Sequence, residues 1–262
     1  MKVCLDPGHG ETDSGAVANG IVEKVVNLEV AMAVRDELTK RGHQVVMTRT
    51  GDSTFATGIG HTADDICDRG AFSVEQGADI FVSIHHDVGD EHSSAEGTSG
   101  FYHEGAPNGQ DLATQITTRI HERMGFAYAY GTPAQVHWIN LGVLRGGDNW
   151  LHVTACLVEC CFLSNDGDAA RIRQDSYAGD VAGCIVDGIE AHAAKEGIIT
   201  GTPTAEAGIK VIGPSGEVLT KGGREIADQL WVPGREVFEA LGYTVNAQHL
   251  ADQGKIYLTK PA

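Results

Sequence analysis

The chain has 262 residues, 42% of them apolar, enough to bury one full-sized core and leave room for a small second unit. Its formal charge of -17 is unevenly placed: residues 205–262 carry six Lys/Arg against seven Asp/Glu, so nearly all the excess acid precedes them. A field of that sign repels phosphate backbones and anionic lipid, which argues against a nucleic-acid or membrane-surface partner.

No stretch approaches the roughly 18 apolar residues of a membrane span, and no hydrophobic h-region precedes the first strand, so neither a transmembrane helix nor a signal peptide is expected. Cys4, Cys67, Cys156, Cys160, Cys161 and Cys184 form no CxxC pair and fall mostly within apolar patterns. They read as reduced, small hydrophobic residues of a protein made in a reducing compartment.

Residues 2–5 read as a strand stopped by Asp6-Pro7-Gly8, which delivers His9 onto an exposed turn. Val26, Val30, Val34 and Leu38 repeat at helical spacing, so residues 24–41 form a helix closed by Gly42, with Glu23 at its start. Residues 43–48 form the next strand, completing a βαβ unit and hence a parallel pair. A polar loop over 50–64 precedes a helix over 65–76 that carries Arg69. The near-continuous apolar run over 79–85 predicts a strand buried on both faces, ending at His85-His86-Asp87.

Residues 97–103 read as a strand and 110–124 as an amphipathic helix. Residues 125–140 read as an irregular cleft wall with Tyr128, Tyr130, His137 and Trp138. Residues 141–145 read as a short strand ending in Arg145, and 154–159 as an apolar strand ending in Glu159. Asn165 and Asp166 can cap a helix over about 167–174, and a last helix runs over 177–195. The fold class is therefore α/β, a mostly parallel or mixed sheet flanked by helices, over residues 1–196. A linker over 197–208 leads to a small α+β accessory domain over 209–262: a hairpin over 209–219, a helix over 232–241, and strands at 243–245 and 255–258.

His9, Glu23, His85 and Glu159 all sit at ends of apolar elements. Ordinary roles exist for each: a turn histidine, a helix-start carboxylate favoured by the dipole, a strand-end histidine held by backbone. Together they suggest more, because two histidines and one carboxylate form a catalytic zinc site with a fourth position left for water. A second carboxylate then serves as general base and acid.

Six segments in order, VCLDPGHG (3–10), EKVVNL (23–28), Thr48-Arg49, Arg69, ADIFVSIH (78–85) and LVECCFLSN (157–165), resemble the zinc-dependent N-acetylmuramoyl-L-alanine amidases of the amidase-3 type over residues 2–195. The resemblance implies that His9, Glu23 and His85 bind one Zn2+ and that Glu159 is the catalytic glutamate. It implies hydrolysis of the amide between the lactyl group of N-acetylmuramic acid and the L-alanine of the peptidoglycan stem peptide. Arg69 and Arg145 are candidates to position a substrate carboxylate, with structural ion pairs as the competing role. The chain departs from the pattern at His86-Asp87, where the family usually has Ala-Asn, and at Cys160-Cys161, so His86 and Cys160 compete as ligands. His85 is preferred because it aligns with the Ser-Ile-His motif.

The segment 231–245 is similar to the copper amine oxidase N-terminal-like domain, an accessory module of bacterial envelope proteins. One histidine, His249, builds no copper site, so the tail is expected to attach to the wall, to a partner, or to a second copy as a homodimer. The expected setting is a phage-type endolysin that accumulates in the host cytoplasm before release to the wall. The alternative is a bacterial autolysin or spore-cortex amidase acting outside the cell after loss of a leader.

Overall fold

The computed structural model describes residues 1–53, 63–90, 94–136, 141–145 and 152–198, without the side chains of 63–65, 135 and 136, and the backbone of four short strands beyond them. The chain divides into two compact units, Met1–Thr202 and Pro203–Ala262.

The first unit is built on a six-stranded mixed sheet. Its strands are β1 (Lys2–Pro7), β4 (Gln44–Met47), β5 (Ile80–Asp87), β6 (Ser99–Tyr102), β7 (Ala134–Val136) and β8 (Thr154–Phe162), in the order β4-β1-β5-β8-β6-β7. The first four in that order are parallel, β6 runs antiparallel to β8, and β7 runs parallel to β6. The central strands β1, β5 and β8 have a partner on both edges and helices over both faces, so their apolar runs are nearly continuous.

Side-chain alternation sorts the two faces. Val3, Leu5, Ile80, Val82, Ile84, Cys156 and Val158 face α1 (Glu23–Lys40), α3 (Pro107–Met124) and a long closing helix (Tyr177–Lys195). Cys4, Phe81, Ala155 and Leu157 face α2 (Ala63–Glu75) and α4 (Gly142–Arg145). Between β8 and the closing helix lies α5 (Asp166–Ile172); Asn165 caps it by accepting from the backbone N–H of Gly167 and Asp168, as the sequence predicts. The closing helix is α6 hereafter.

Two local expectations are corrected, and one element that the sequence reading did not place is added. Residues 141–145 form the single helical turn α4, not a strand. Five apolar-rich residues carry no decisive period, and Gly142 lets this turn sit against Ile66 of α2. The stretch expected to be irregular contains β7, held at the sheet edge by β6. A hairpin, β2 (Val17–Ala18) with β3 (Ile21–Val22), precedes α1; its turn is Asn19-Gly20, both at positive φ, the sequence signature of a two-residue hairpin turn.

No helix among the described residues is long and apolar enough to cross a membrane. All six cysteines are free, five of them buried. In the second unit β9 (Lys210–Ile212) pairs antiparallel with β10 (Val218–Thr220), as the hairpin reading requires, and β11 (Thr244–Val245) pairs antiparallel with β12 (Leu258–Thr259). The helix expected over 232–241 lies outside the described residues.

Candidate metal and catalytic site

The site lies at the carboxyl ends of β1, β5 and β8, where open α/β sheets place their chemistry. β1 hands the chain to Gly8, whose N–H bonds to Ile84 O at 3.0 Å, and then to His9 at φ 64°. A side chain at Gly8 would put its Cβ 2.1 Å from His85 Cε1, so only glycine lets the His85 ring lie against this turn. The imidazoles of His9 and His85 meet edge to face, centroids 5.0 Å apart.

Glu23, the first residue of α1, arrives from the other side. The β2–β3 hairpin turns the chain so that the N–H groups of Glu23 and Lys24 bond to Ala16 O and Ser14 O, at 2.9 and 3.1 Å. These backbone carbonyls satisfy helix-start donors in the absence of a side-chain cap. The Glu23 carboxylate then bridges the two rings: Oε2 is 3.0 Å from His9 Nε2, and Oε1 is 3.0 Å from His85 Nδ1. Burial opposes ionisation of Glu23, but its bonds to His85 and His9 outweigh it, holding the group far below the usual carboxylate range. On the far side of His9, Nδ1 bonds to Asp13 Oδ2 at 2.7 Å, which leaves Nε2 to face Glu23.

This donor set fits a metal ion. One ligand atom from each of His9, Glu23 and His85 lies within 4.8 Å of the others. The carboxylate on the outer nitrogen of His9 is the partner metal-binding histidines commonly keep. A Cβ at Gly15 would sit 2.5 Å from Glu23 Oε2, so that glycine also keeps the group compact.

Glu159 stands beside His85 in register on β8, with Ser99 of β6 opposite it on its other side. Its Oε2 is shut off from solvent and has no hydrogen-bond partner among the described residues, as is also true of the Ser99 hydroxyl. Burial pushes the Glu159 pKa well above the ordinary range, and the carboxylates of Asp87 and Glu23 add to the shift. An unsatisfied carboxyl oxygen beside a metal-type donor set is what a general base looks like before its substrate arrives.

Strand alternation separates the rival candidates. His85 and Glu159 share the face of β5 and β8 that carries α2 and α4, whereas His86 points into the α1–α6 layer. There His86 bonds to Asn27 and Tyr177, and burial lowers its pKa to about 3. Between His85 and Asp87 the pairing shifts by one residue, a bulge that takes up Cys160-Cys161 on β8. Cys160 is packed in the core with its thiol pKa pushed up by burial and is not among the His9–Glu23–His85 group.

Of the two arginines, Arg69 is committed elsewhere. It is 5% exposed and bonds to Asp6 Oδ1 at 2.9 Å, to Pro7 O and to His9 O, so it is a support of the His9 turn and not a substrate clamp. Arg145 is exposed at the end of α4. Sequence reasoning passed over Asp13, Asn27 and Asp87; the first two are each four residues beyond a ligand, a spacing that could have flagged them. Of the expected cleft wall, Tyr130 packs edge to face on Phe101 with its hydroxyl 3.5 Å from Asp87 Oδ2, and Tyr128 stacks on His121. His137 and Trp138 lie outside the described residues.

The mixed sheet thus carries at its carboxyl edge a histidine–glutamate cluster that could hold a metal ion, beside a second, partly enclosed glutamate, the groups an amide hydrolase needs. The model of the N-acetylmuramoyl-L-alanine amidase family matches residues 3–191, and the chain belongs to that family, a class of peptidoglycan hydrolases. The amidase LytC of Bacillus subtilis (strain 168) is 30% identical over 188 residues, 71% of this chain and 34% of LytC. The endolysin of Bacillus phage SPP1 is 31% identical over 191 residues, 71% of this chain and 64% of the endolysin. This chain thus spans about a third of the one relative and under two thirds of the other. Among solved structures, the N-acetylmuramoyl-L-alanine amidase of Clostridium difficile 630 superposes with a TM-score of 0.64 at 27% identity, over 74% of this chain and 97% of that one.

Proposed function

We propose that the protein is a zinc-dependent amidase that cuts peptidoglycan between the N-acetylmuramic acid lactyl group and the L-alanine of the stem peptide. His9 Nε2, Glu23 and His85 Nδ1 would hold the ion, and Glu159 would handle the proton. The observation that carries this reading is the unpartnered Oε2 of Glu159, one strand away from the His9–Glu23–His85 group. Zinc bound there supplies Lewis acidity toward the scissile carbonyl and toward water. Glu159 takes a proton from the attacking water and returns it to the alanine nitrogen as the amide breaks, a transfer its raised pKa suits. Asp13 holds the outer nitrogen of His9, and the exposed Arg145, on the α2–α4 side of the sheet, is the remaining candidate for a substrate carboxylate.

The test is metal analysis together with product analysis on purified peptidoglycan. One zinc per chain and new N-terminal L-alanine are expected, with zinc lost in His85→Ala and retained in Glu159→Ala. Release of D-alanine or acetate instead would mean a carboxypeptidase or deacetylase using the same donor set.

For the setting we propose a phage-type endolysin held in the host cytoplasm until release to the wall, supported by the likeness to the phage endolysin; the likeness to LytC supports the bacterial alternative. Expression without a leader, with and without a co-expressed membrane-permeabilising protein, separates the two: an endolysin lyses only with it. The tail would attach to the wall or a partner, or pair two copies, which sedimentation of the full chain with and without sacculi distinguishes.

A further inference from the structure

His86 lies one residue from a proposed ligand yet faces the opposite side of the sheet, and its surroundings have a direction that can be worked out atom by atom. The Asn27 side-chain nitrogen sits 3.3 Å from Gly8 O and 3.2 Å from Glu23 Oε1. A carbonyl and a carboxylate only accept, so this end of the amide must be the donor, and Asn27 Oδ1 is the acceptor on the other side. That oxygen is 2.7 Å from His86 Nδ1, which must therefore carry the ring proton. His86 Nε2 is then a bare acceptor, 2.7 Å from the Tyr177 hydroxyl, which donates to it. With its proton spent, the Tyr177 oxygen is left to accept from the Cys161 thiol at 3.3 Å. His86, Asn27 and Tyr177 are all buried, at 1%, 0% and 3% exposure, so no solvent competes for these bonds.

We propose that Asn27 and His86 are positioning residues, members of a one-way hydrogen-bond relay that runs from Cys161 through Tyr177, His86 and Asn27 and ends on Glu23 Oε1. Every donor points toward Glu23, so each bond polarises the next. Together with the N–H of His86 at 3.3 Å on Oε1 and the N–H of Ala16 at 2.8 Å on Oε2, the relay gives both carboxylate oxygens donors besides the two imidazoles. Four elements, β8, α6, β5 and α1, are thereby tied to the orientation of one proposed ligand. The inference rests on the metal reading above and adds the residues that aim Glu23.

The test uses the full-length, zinc-loaded chain and two readouts that do not depend on turnover. Long-range proton–nitrogen NMR should show His86 neutral and protonated at Nδ1; a ring protonated at Nε2, or at both nitrogens, overturns the relay. Zinc affinity, by competition with a chelator, should fall about 10- to 100-fold in Asn27→Ala and His86→Ala. In Tyr177→Phe, which keeps the ring and deletes one hydroxyl, it should fall several-fold. His86→Gln should recover part of the loss, because its amide can donate to Asn27 and accept from Tyr177. If His86→Ala does not fold, Tyr177→Phe and the parent NMR still decide. Parent-like zinc affinity in the folded variants sinks the relay alone, whereas a parent chain that binds no zinc sinks the metal reading itself.

Discussion

Two clusters of buried polar residues lie a few residues apart at the same edge of the sheet, and they are built on opposite rules. Around Asp6 every carboxylate oxygen is answered. Oδ1 accepts from Thr48 at 2.6 Å and from Arg69 at 2.9 Å, and Oδ2 accepts from Ser83 at 2.7 Å. Burial works against ionisation of Asp6, yet Arg69 and the two hydroxyls hold its pKa below the ordinary range. Arg49 extends the cluster by bonding to the carbonyls of Pro7, Gly8 and Lys24, so the turn that carries His9 hangs from two guanidinium groups. Around Glu159, by contrast, one buried oxygen and a neighbouring buried hydroxyl find no partner among the described residues. An unsatisfied buried polar group costs about 1–3 kcal/mol; His43 Nδ1 and His192 Nε2 are also unanswered among the described residues, and what sets Glu159 apart is its place in register beside His85 of the His9–Glu23–His85 group. The satisfied cluster holds the turn that carries His9, and the unsatisfied one lies beside the candidate metal group.

That contrast can be broken most sharply at Glu159. Glu159→Gln should lower kcat on purified peptidoglycan by about 10²- to 10⁴-fold while the protein keeps its zinc and its melting temperature; loss of zinc would make Glu159 a ligand. The converse effect is expected at Arg69. Arg69→Met leaves Asp6 buried and unpaired and should cost about 3–5 kcal/mol of stability in denaturant unfolding, and Asp6→Leu added to it should recover part of that cost.

Protonation gives a third, smaller handle. Glu159 has a higher pKa folded than unfolded, so above the unfolded value of about 4.3 the native state binds the extra proton and stability falls as pH rises. In zinc-free protein the parent should therefore lose stability relative to Glu159→Gln by up to about 1.4 kcal/mol per pH unit until the folded pKa is passed. A difference that grows toward low pH would contradict the burial of this carboxyl.

The smallest effect is expected from the second unit. A chain ending at residue 202 should hydrolyse small soluble muropeptides as the full chain does, and clear intact sacculi several-fold more slowly if the tail supplies a second contact. Equal rates on both substrates would leave the tail a spacer.

Much of this was legible beforehand because its signals are local. The apolar runs before Asp6, His85 and Glu159 are strands buried on both faces, and the spacing of Val26, Val30, Val34 and Leu38 marks one helical stripe, so the sheet and α1 fall where the pattern puts them. Less legible was anything set by a partner distant in the chain. Leu141 to Arg145 is too short to show a period, and packing against α2 decided that it turns as a helix. Arg69 reads the same whether it binds substrate or Asp6, and only the approach of α2 to β1 chooses. The Asn19-Gly20 turn was readable and went unread.

For the site itself, the sequence by itself offered four candidate groups in order, His9, Glu23, His85 and Glu159, because each lies at the end of a recognisable strand or the start of a helix, and the family resemblance suggested their roles. It also contained the answer to the rivalry between His85 and His86, since neighbouring strand residues point to opposite faces. Only the tertiary structure decided which face is which, that Arg69 is spent on Asp6, and that Glu159 Oε2 is left without a partner. Those facts depend on register and layer packing between segments up to 150 residues apart in the chain, as from Glu159 back to His9, and no local pattern encodes a distance.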